Sequence, residues 1–281
     1  MKTIGFIDYY ISEWHANNYP EWIKQQSEKM GEDFVVKYAW AEMDVSPIDN
    51  VTTDEWCEKY GVEKCATIAE LCEKADYILI LAPSDPDKHL GYAKEALKYK
   101  KNTYIDKTFA PNYDTAKEIF ALGEKYKTPF FSSSALRYAT ELEGLKDVKS
   151  LITLGGGMDM AEYIIHQIEM IVKLLGEKAK KVKVEKVGMN QYLSNIKFES
   201  DKQATTVFAP PNPFAIIVER IDGSFEYKQI TSDFFKGLIA DILKFYLTGK
   251  APFDTNETLE IMKVRESVVK GMENLGNWIE L

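Results

Sequence analysis

The stretch that decides the fold is Ala75-Asp76-Tyr77-Ile78-Leu79-Ile80-Leu81-Ala82-Pro83-Ser84. Its apolar centre has the length of one buried strand, and the proline ends it. A segment with a helical pattern follows at about 88–99, and a second apolar run follows at 102–105. Strands that are apolar on both faces and alternate with helices are typical of a parallel sheet covered by crossover helices.

The same alternation runs through the whole first half of the chain. The predicted strands are 3–8, 34–41, 77–82, 102–105 and 129–132. The predicted helices are 13–29, 67–74, 88–99 and 113–126. This order of elements predicts a Rossmann-type, doubly wound parallel sheet in a first domain of residues 1–140.

The pattern changes after about residue 141. One strand-like run, 149–154, precedes a strongly amphipathic helix over 160–175. Alternating runs then follow at 181–188, 192–198, 205–208, 215–220 and 224–229, and helices are predicted at 232–247 and 255–272. These patterns predict a second α+β domain, residues 141–281, with a mostly antiparallel open sheet.

Composition limits the classes of protein to be considered. A chain of 281 residues with 45% hydrophobic residues has enough material for two domains. The 44 acidic residues outnumber the 35 basic ones, and the net charge of -9 argues against nucleic acid or an anionic membrane as a partner. No apolar run approaches the roughly 20 residues of a membrane span.

The N-terminal residues and the cysteines bear on location. Residues 1–7 lead straight into a predicted strand and carry no signal-peptide pattern, so we expect a cytoplasmic protein. The three cysteines, Cys57, Cys65 and Cys72, lack C-x-x-C spacing, so we expect reduced thiols and no metal site.

The end of the first strand departs most from a dinucleotide-binding sequence. A glycine-rich loop, G-x-G-x-x-G, would be expected there, but the chain reads Asp8-Tyr9-Tyr10-Ile11-Ser12-Glu13. Asp8 and Glu13 would repel a pyrophosphate. Ser12 is expected to cap the next helix and to leave backbone amides for a phosphate.

A carboxylate follows the second strand. Glu42 stands where a ribose ligand is expected in an NAD site, and the alternative is an acid in a solvated loop. Because Glu42 would repel a 2′-phosphate and no arginine follows it, NAD is preferred to NADP.

The strand that ends at Pro83 and Ser84 leads to a helix near His89, and the next strand leads to Asp106-Lys107-Thr108. With these motifs, residues 75–138 resemble the Gfo/Idh/MocA family of sugar and inositol oxidoreductases, in which a strand ending in proline and a small polar residue leads to a helix that begins at histidine. The family's Glu-Lys-Pro is matched by Asp106-Lys107-Thr108, which keeps the charges and loses the proline. The family's Asp-x-x-x-His is matched by Glu162 and His166, and a Leu-Arg-Tyr stretch at 136–138 closes the domain.

The resemblance implies an NAD(P)-dependent oxidoreductase that transfers hydride at the CH-OH group of a sugar, inositol or related metabolite. It implies catalytic roles for Lys107, His166 and Glu162, and a substrate contact from Arg137, which alternatively braces the domain junction. The cofactor contacts that follow from it and from the strand ends are Asp8, Tyr10, Ile11, Ser12, Glu42, Pro83, Ser84 and Asp106. It also implies a homo-oligomer formed through the C-terminal sheet.

The chemistry agrees with these residue types. Oxidation of an alcohol needs a base for the hydroxyl proton and a cation for the developing negative oxygen. Imidazole titrates near neutrality, so His166 suits the first task and Lys107 the second. The run Gly155-Gly156-Gly157 is interpreted as a flexible turn before the catalytic helix, with anion binding as the alternative.

A second hypothesis remains open. The chain would then be a non-catalytic paralogue that keeps the fold, has lost the dinucleotide, and binds a metabolite or a protein. The aberrant loop at Asp8 favours this hypothesis, whereas Lys107, Glu162 and His166 favour the enzyme.

Overall fold

The computed structural model describes residues 1–281, which form two compact units. The first unit comprises Met1–Ser133 and Lys236–Thr255, and the second comprises Ser134–Phe235 and Asn256–Leu281. The sequence-based division at residue 140 assigned 236–255 to the second domain, so the structure differs there. None of the helices combines the length and the apolar character that a membrane span requires.

The first unit is built on a six-stranded sheet in which every neighbouring pair is parallel. Its strands are β1 (Lys2–Asp8), β2 (Phe34–Ala41), β3 (Glu63–Lys64), β4 (Tyr77–Ile80), β5 (Thr103–Ile105) and β6 (Phe130–Phe131). The spatial order β3-β2-β1-β4-β5-β6 confirms the Rossmann-type sheet. The chain order reverses between β1 and β4, and in such sheets ligands bind beyond the strand ends at this point.

Five helices lie between these strands in the chain. They are α1 (Trp14–Lys29), α2 (Thr53–Tyr60), α3 (Ile68–Lys74), α4 (His89–Ala96) and α5 (Tyr113–Tyr126). Helix α2 and strand β3 were missed by the sequence analysis. Thr52 and Glu55 form a reciprocal capping box at the start of α2, and Gly61 ends it with φ 66°.

The segment 236–255 belongs to the first unit because its helix packs there. This helix, α7 (Phe234–Thr248), is the second-to-last α-helix of the chain. The Tyr246 hydroxyl donates to the Ile78 carbonyl at 2.8 Å, and the Asn102 side-chain amide donates to the Tyr246 carbonyl at 2.9 Å. The rings of Phe245 and Phe131 lie 4.9 Å apart.

The second unit is built on a seven-stranded sheet that is antiparallel except for one pair. Its strands are β7 (Val148–Gly155), β8 (Ala179–Gly188), β9 (Gln191–Phe198), β10 (Gln203–Phe208), β11 (Ala215–Arg220), β12 (Phe225–Gln229) and β13 (Trp278–Glu280). The spatial order is β12-β11-β7-β10-β9-β8-β13, and β7 and β10 are the parallel pair. The predicted mostly antiparallel sheet is confirmed, and the short β13 was missed.

Two helices complete the second unit, α6 (Met160–Leu175) and α8 (Asn256–Glu273). Asp159 caps α6 by accepting the Glu162 amide at 3.1 Å, and Gly176 ends it with φ 62°. The side chain of Gln167 fixes α6 to the sheet, because it accepts from Thr153 at 2.8 Å and donates to the Gly155 and Val207 carbonyls at 3.2 Å.

The glycine run before α6 is explained by close packing. A Cβ at Gly156 would lie 2.7 Å from the Pro210 Cα, so the chain at this point has no room for a side chain. We therefore correct the interpretation as a flexible turn: the glycine is required by a neighbouring backbone.

Candidate functional site

The Asp8 carboxylate lies at the reversal point of the first sheet. Its Oδ1 accepts the Tyr9 amide at 2.7 Å and the Ala82 amide at 3.0 Å, so it links the ends of β1 and β4. The side chain is 1% exposed, and its Oδ2 has no hydrogen-bond partner. Burial, and then the charge of Glu13, raise the pKa of Asp8 well above its usual value.

Glu13, rather than Ser12, caps the helix that follows. Its carboxylate accepts the His15 amide at 2.7 Å and also the Ala16 amide. The expected cap at Ser12 is therefore wrong, because the Ser12 hydroxyl donates to Asp49 at 2.7 Å instead. Burial raises the pKa of Glu13, against the opposing effect of His15.

The other loop residues predicted to contact the cofactor make contacts within the protein. Ile11 is buried, and its carbonyl accepts the Glu13 amide at 3.0 Å. Tyr10 is half-buried, with its ring 5.7 Å from that of Tyr9. The cofactor contacts assigned to Tyr10, Ile11 and Ser12 stay predictions.

Glu42 lies directly after β2, beside the end of β1. Its amide donates to the Asp8 carbonyl at 3.1 Å. Its carboxylate accepts from Lys88 at 2.5 Å and from the Tyr92 hydroxyl at 2.8 Å, and the hydrogen bond from Lys88 lowers the pKa of Glu42. Lys88 offsets the negative charge on which the preference for NAD rested.

The Asp106 side chain, directly after β5, contacts several neighbouring groups. Its Oδ2 lies 2.6 Å from His15 Nδ1, a contact that is an ion pair when the imidazole is protonated. Its Oδ1 accepts the Lys107 amide at 2.8 Å and the Tyr104 hydroxyl at 3.3 Å. Burial alone would raise the pKa of Asp106, but the nearby His15 and Lys107 lower it.

Lys107, the first predicted catalytic residue, follows directly. Its ammonium nitrogen donates to the Pro83 carbonyl at 3.3 Å, which joins it to the segment after β4 that includes Ser84. The peptide bond between Lys107 and Thr108 is cis. Thus Lys107 and Pro83, predicted on different strands, lie together in the first unit.

His89 has a structural role in the same unit. It is fully buried, and its ring nitrogens lie 3.0 Å from the Phe109 carbonyl and 2.5 Å from the Leu81 carbonyl. Burial lowers its pKa, although the two carbonyls oppose this effect. We conclude that His89 joins two loops of the first unit.

In the second unit, a serine holds the predicted catalytic histidine. Ser134 Oγ lies 2.7 Å from His166 Nδ1, and the ring of Phe214 stands edge-on at 5.8 Å. The sequence analysis named Glu162 as the partner of His166 and missed Ser134. The Ser-Ser-Ser run before the predicted Leu-Arg-Tyr stretch was the only available signal for Ser134.

A buried ion-pair network fixes this serine. The Glu169 carboxylate accepts the Ser134 amide at 3.2 Å and the Arg137 Nε at 2.5 Å. Arg137 also donates to Glu257 and is 5% exposed. Two carboxylates engage Arg137, an arrangement typical of a structural ion pair, and its predicted substrate contact stays a prediction.

No group of three or more histidine, cysteine, aspartate or glutamate side chains is arranged to hold a metal ion. The three cysteines are free and buried. Burial raises the pKa of Cys57 to about 11 and that of Cys72 to about 12. These thiols are therefore core residues without thiolate chemistry at neutral pH.

A parallel sheet with reversed strand order, followed in the chain by a mostly antiparallel sheet, is an architecture found in two-domain dehydrogenases. Residues 25–133 match the family model described as an oxidoreductase family with an NAD-binding Rossmann fold, GFO_IDH_MocA. This match confirms the resemblance to the Gfo/Idh/MocA family. It begins after the loop from Asp8 to Glu13, which is where the chain departs from the family's pattern.

Known proteins extend the comparison. An uncharacterized oxidoreductase of Escherichia coli (strain K12), YhhX, is 38% identical over 55 residues, which span 20% of this chain and 16% of that protein. A probable dehydrogenase from Thermotoga maritima has a similar structure, with TM-score 0.78, 14% identity, and 99% and 98% of the two chains covered. The scyllo-inositol dehydrogenase from Lactobacillus casei with bound NAD(H) and scyllo-inositol gives TM-score 0.74 and 13% identity, with 99% and 98% covered. At these identities the two structures establish the fold alone.

The start of α1 in the first unit does not fit a cofactor pyrophosphate, because its backbone amides already have carboxylate partners. In a Rossmann fold the amides at the start of the first helix bind this group. Here the His15 and Ala16 amides already donate to Glu13, and Asp8 holds the Tyr9 and Ala82 amides. The chain itself supplies the negative charge that the cofactor would bring.

Proposed function

We propose that the chain is an NAD(P)-linked oxidoreductase that acts on the CH-OH group of a sugar, an inositol or a related polyol. The observation that carries this proposal is the fixed imidazole of His166. Ser134 holds its Nδ1, and the buried Glu169 and Arg137 hold Ser134. A histidine with its orientation set by such a network is suited to acid-base chemistry at neutral pH.

The residues are assigned distinct roles. His166 is assigned the exchange of the substrate hydroxyl proton, with its ring held by Ser134 at Nδ1. The ammonium group of Lys107 is assigned the stabilisation of the negative charge that develops on the substrate oxygen. Glu162, one turn before His166 on α6, is assigned the tuning of the imidazole through its charge.

The experiment is a turnover screen of polyols and sugars with NAD and NADP. We expect at least one polyol to be oxidised, and we expect Lys107→Ala and His166→Ala each to lower kcat by about 100-fold or more. Lys98→Ala, which removes an exposed lysine of the first unit, is the control and should leave kcat unchanged. Full activity in both Lys107→Ala and His166→Ala would refute these roles.

A second candidate function follows from one observation. The Glu13 carboxylate occupies the amides at the start of α1, which favours a paralogue that has lost the dinucleotide and binds another metabolite or a protein. Absence of turnover with every polyol, together with absence of NADH and NADPH binding, would support this candidate over the enzyme.

We also propose that the chain forms a homodimer through the open face of the second sheet. Ile152, Ile217 and Tyr227 lie in one row across β7, β11 and β12 and are 41%, 39% and 62% exposed. A contiguous apolar row of this kind is typical of an interface.

Sedimentation tests this proposal. It should give a dimer for the native chain and a monomer for Ile152→Lys combined with Ile217→Lys. Met189→Lys, at an exposed turn, is the control, and a native monomer would overturn the proposal.

A further inference from the structure

The start of α1 carries a negative group that belongs to the chain itself. Glu13 is 6% exposed, and its two carboxylate oxygens accept the amides of His15 and Ala16. Two adjacent amides at the positive end of a helix are the donors that an anion uses. The glutamate therefore occupies an anion site from within.

A second carboxylate occupies the neighbouring donors. Asp8 holds the Tyr9 and Ala82 amides through Oδ1, while its buried Oδ2 has no hydrogen-bond partner. An unpartnered carboxylate oxygen in the interior is costly, since burial without a hydrogen bond removes its solvation. Burial raises the pKa values of both Asp8 and Glu13, which agrees with two acids placed close together.

The loop that carries these acids is fixed from its other side. The Met43 amide donates to the Tyr9 carbonyl at 2.7 Å, and the Ser46 hydroxyl donates to the Ser12 carbonyl at 2.8 Å. The Ser12 hydroxyl in turn donates to Asp49 at 2.7 Å. These bonds from segment 43–49 hold the loop in the conformation in which Glu13 caps α1.

We propose that Glu13 is an internal substitute for a cofactor phosphate, so that a dinucleotide binds the first unit only in competition with the Glu13 carboxylate. This inference rests on the proposed function, because it concerns the cofactor of that reaction. The proposal explains two features together: the start of α1 offers amides to an anion, and the glycine-rich loop that would admit an external phosphate is missing. Removal of the carboxylate should therefore strengthen dinucleotide binding.

The test is calorimetric titration of the full chain with NADH. Glu13→Gln removes the charge but keeps an oxygen that can cap the helix, whereas Glu13→Ser removes the charge and shortens the side chain to a favoured cap. We expect Kd to fall by about tenfold in Glu13→Gln and further in Glu13→Ser. Glu28→Gln, an exposed acid on the same helix, is the charge-matched control and should leave Kd unchanged.

The outcomes separate this inference from the proposed function. Tighter NADH binding in both Glu13 variants than in the native chain supports the inference, even if the native chain binds no NADH. Absence of NADH binding by the native chain would count against the proposed function and not against the inference. Unchanged or weaker binding in folded variants, checked by circular dichroism, overturns the inference while native binding preserves the function. If no variant binds NADH, Glu13 is not the obstacle and the inference fails, whereas the proposed function fails only if NADPH does not bind either.

Discussion

The loop between β1 and α1 and the middle of α6 both carry proposed functional residues, but the acids of the two regions make different contacts. In the loop, Asp8 and Glu13 accept backbone amides and are held in a largely buried state. At α6, the acid Glu169 is paired with Arg137 and fixes a serine that contacts His166. In our proposals, the first arrangement fills the position of a cofactor phosphate with protein atoms, and the second orients His166 for proton exchange.

The two regions should therefore respond differently to the loss of an acid. A buried acid without a cation, such as Asp8, lowers stability when it is charged, whereas a buried acid paired with arginine is costly to disrupt. Variants in the two regions should therefore have opposite effects on the free energy of unfolding.

The largest expected effect is at Glu169. Glu169→Ala removes a buried carboxylate partner from the buried Arg137 and should lower the free energy of unfolding by about 3 to 5 kcal/mol, as measured by denaturant titration. Glu95→Ala breaks an exposed pair with Lys98 and should cost less than about 1 kcal/mol. Equal losses in the two variants would contradict the structural role given to Arg137.

A smaller effect of opposite sign is expected at Asp8. Its pKa is raised in the folded chain, so the charged form is disfavoured there, and the resulting stability is present at low pH and lost as pH rises through the folded pKa. Asp8→Asn should therefore be more stable than the native chain by about 1 kcal/mol or more at pH 8. The difference should close as pH falls toward 4.

Denaturant titrations at several pH values measure this difference. Asn keeps an oxygen for the Tyr9 and Ala82 amides, so the change isolates the charge. Asp201→Asn, at an exposed turn, is the control and should show no such dependence. A difference at Asp8 that is constant with pH would contradict the account of a buried charge.

The smallest expected effect is at Ser134. Ser134→Ala removes the Nδ1 partner of His166 and should cost about 1 kcal/mol of stability. The ring nitrogen shifts of His166 in a nuclear magnetic resonance spectrum should then move toward a mixture of tautomers, since the serine no longer selects one. Unchanged shifts would mean that the serine does not orient the ring.

The sequence predicted the elements with strong periodicity. Bounds match for β2, for α5 and for α6, because continuous apolar runs and a helical stripe mark both ends. Helix α2 was missed although Thr52, Glu55 and Gly61 carry cap signals, and β3 and β13 are too short to show a period. The placement of α7 in the first unit could not be predicted, because an apolar helix face indicates that the helix is buried but not which surface it packs against.

The site residues were predicted less completely, for a similar reason. Ser134 and His166 are 32 positions apart, so their contact depends on the fold. Serine is a common helix cap, and on that ground the cap was predicted at Ser12, but Asp49 engages the serine from a distant segment. Local preference decided the prediction, and tertiary contacts decided the structure.

The most direct test of the proposed function is calorimetric titration of the purified native chain with NADH and with NADPH, after any co-purified nucleotide has been removed. We expect saturable heat with at least one of them, weaker than in the Glu13 variants, because the chain keeps the NAD-binding fold and an internal competitor. Absence of saturable heat with both at millimolar concentration would contradict the assignment as an NAD(P)-linked oxidoreductase.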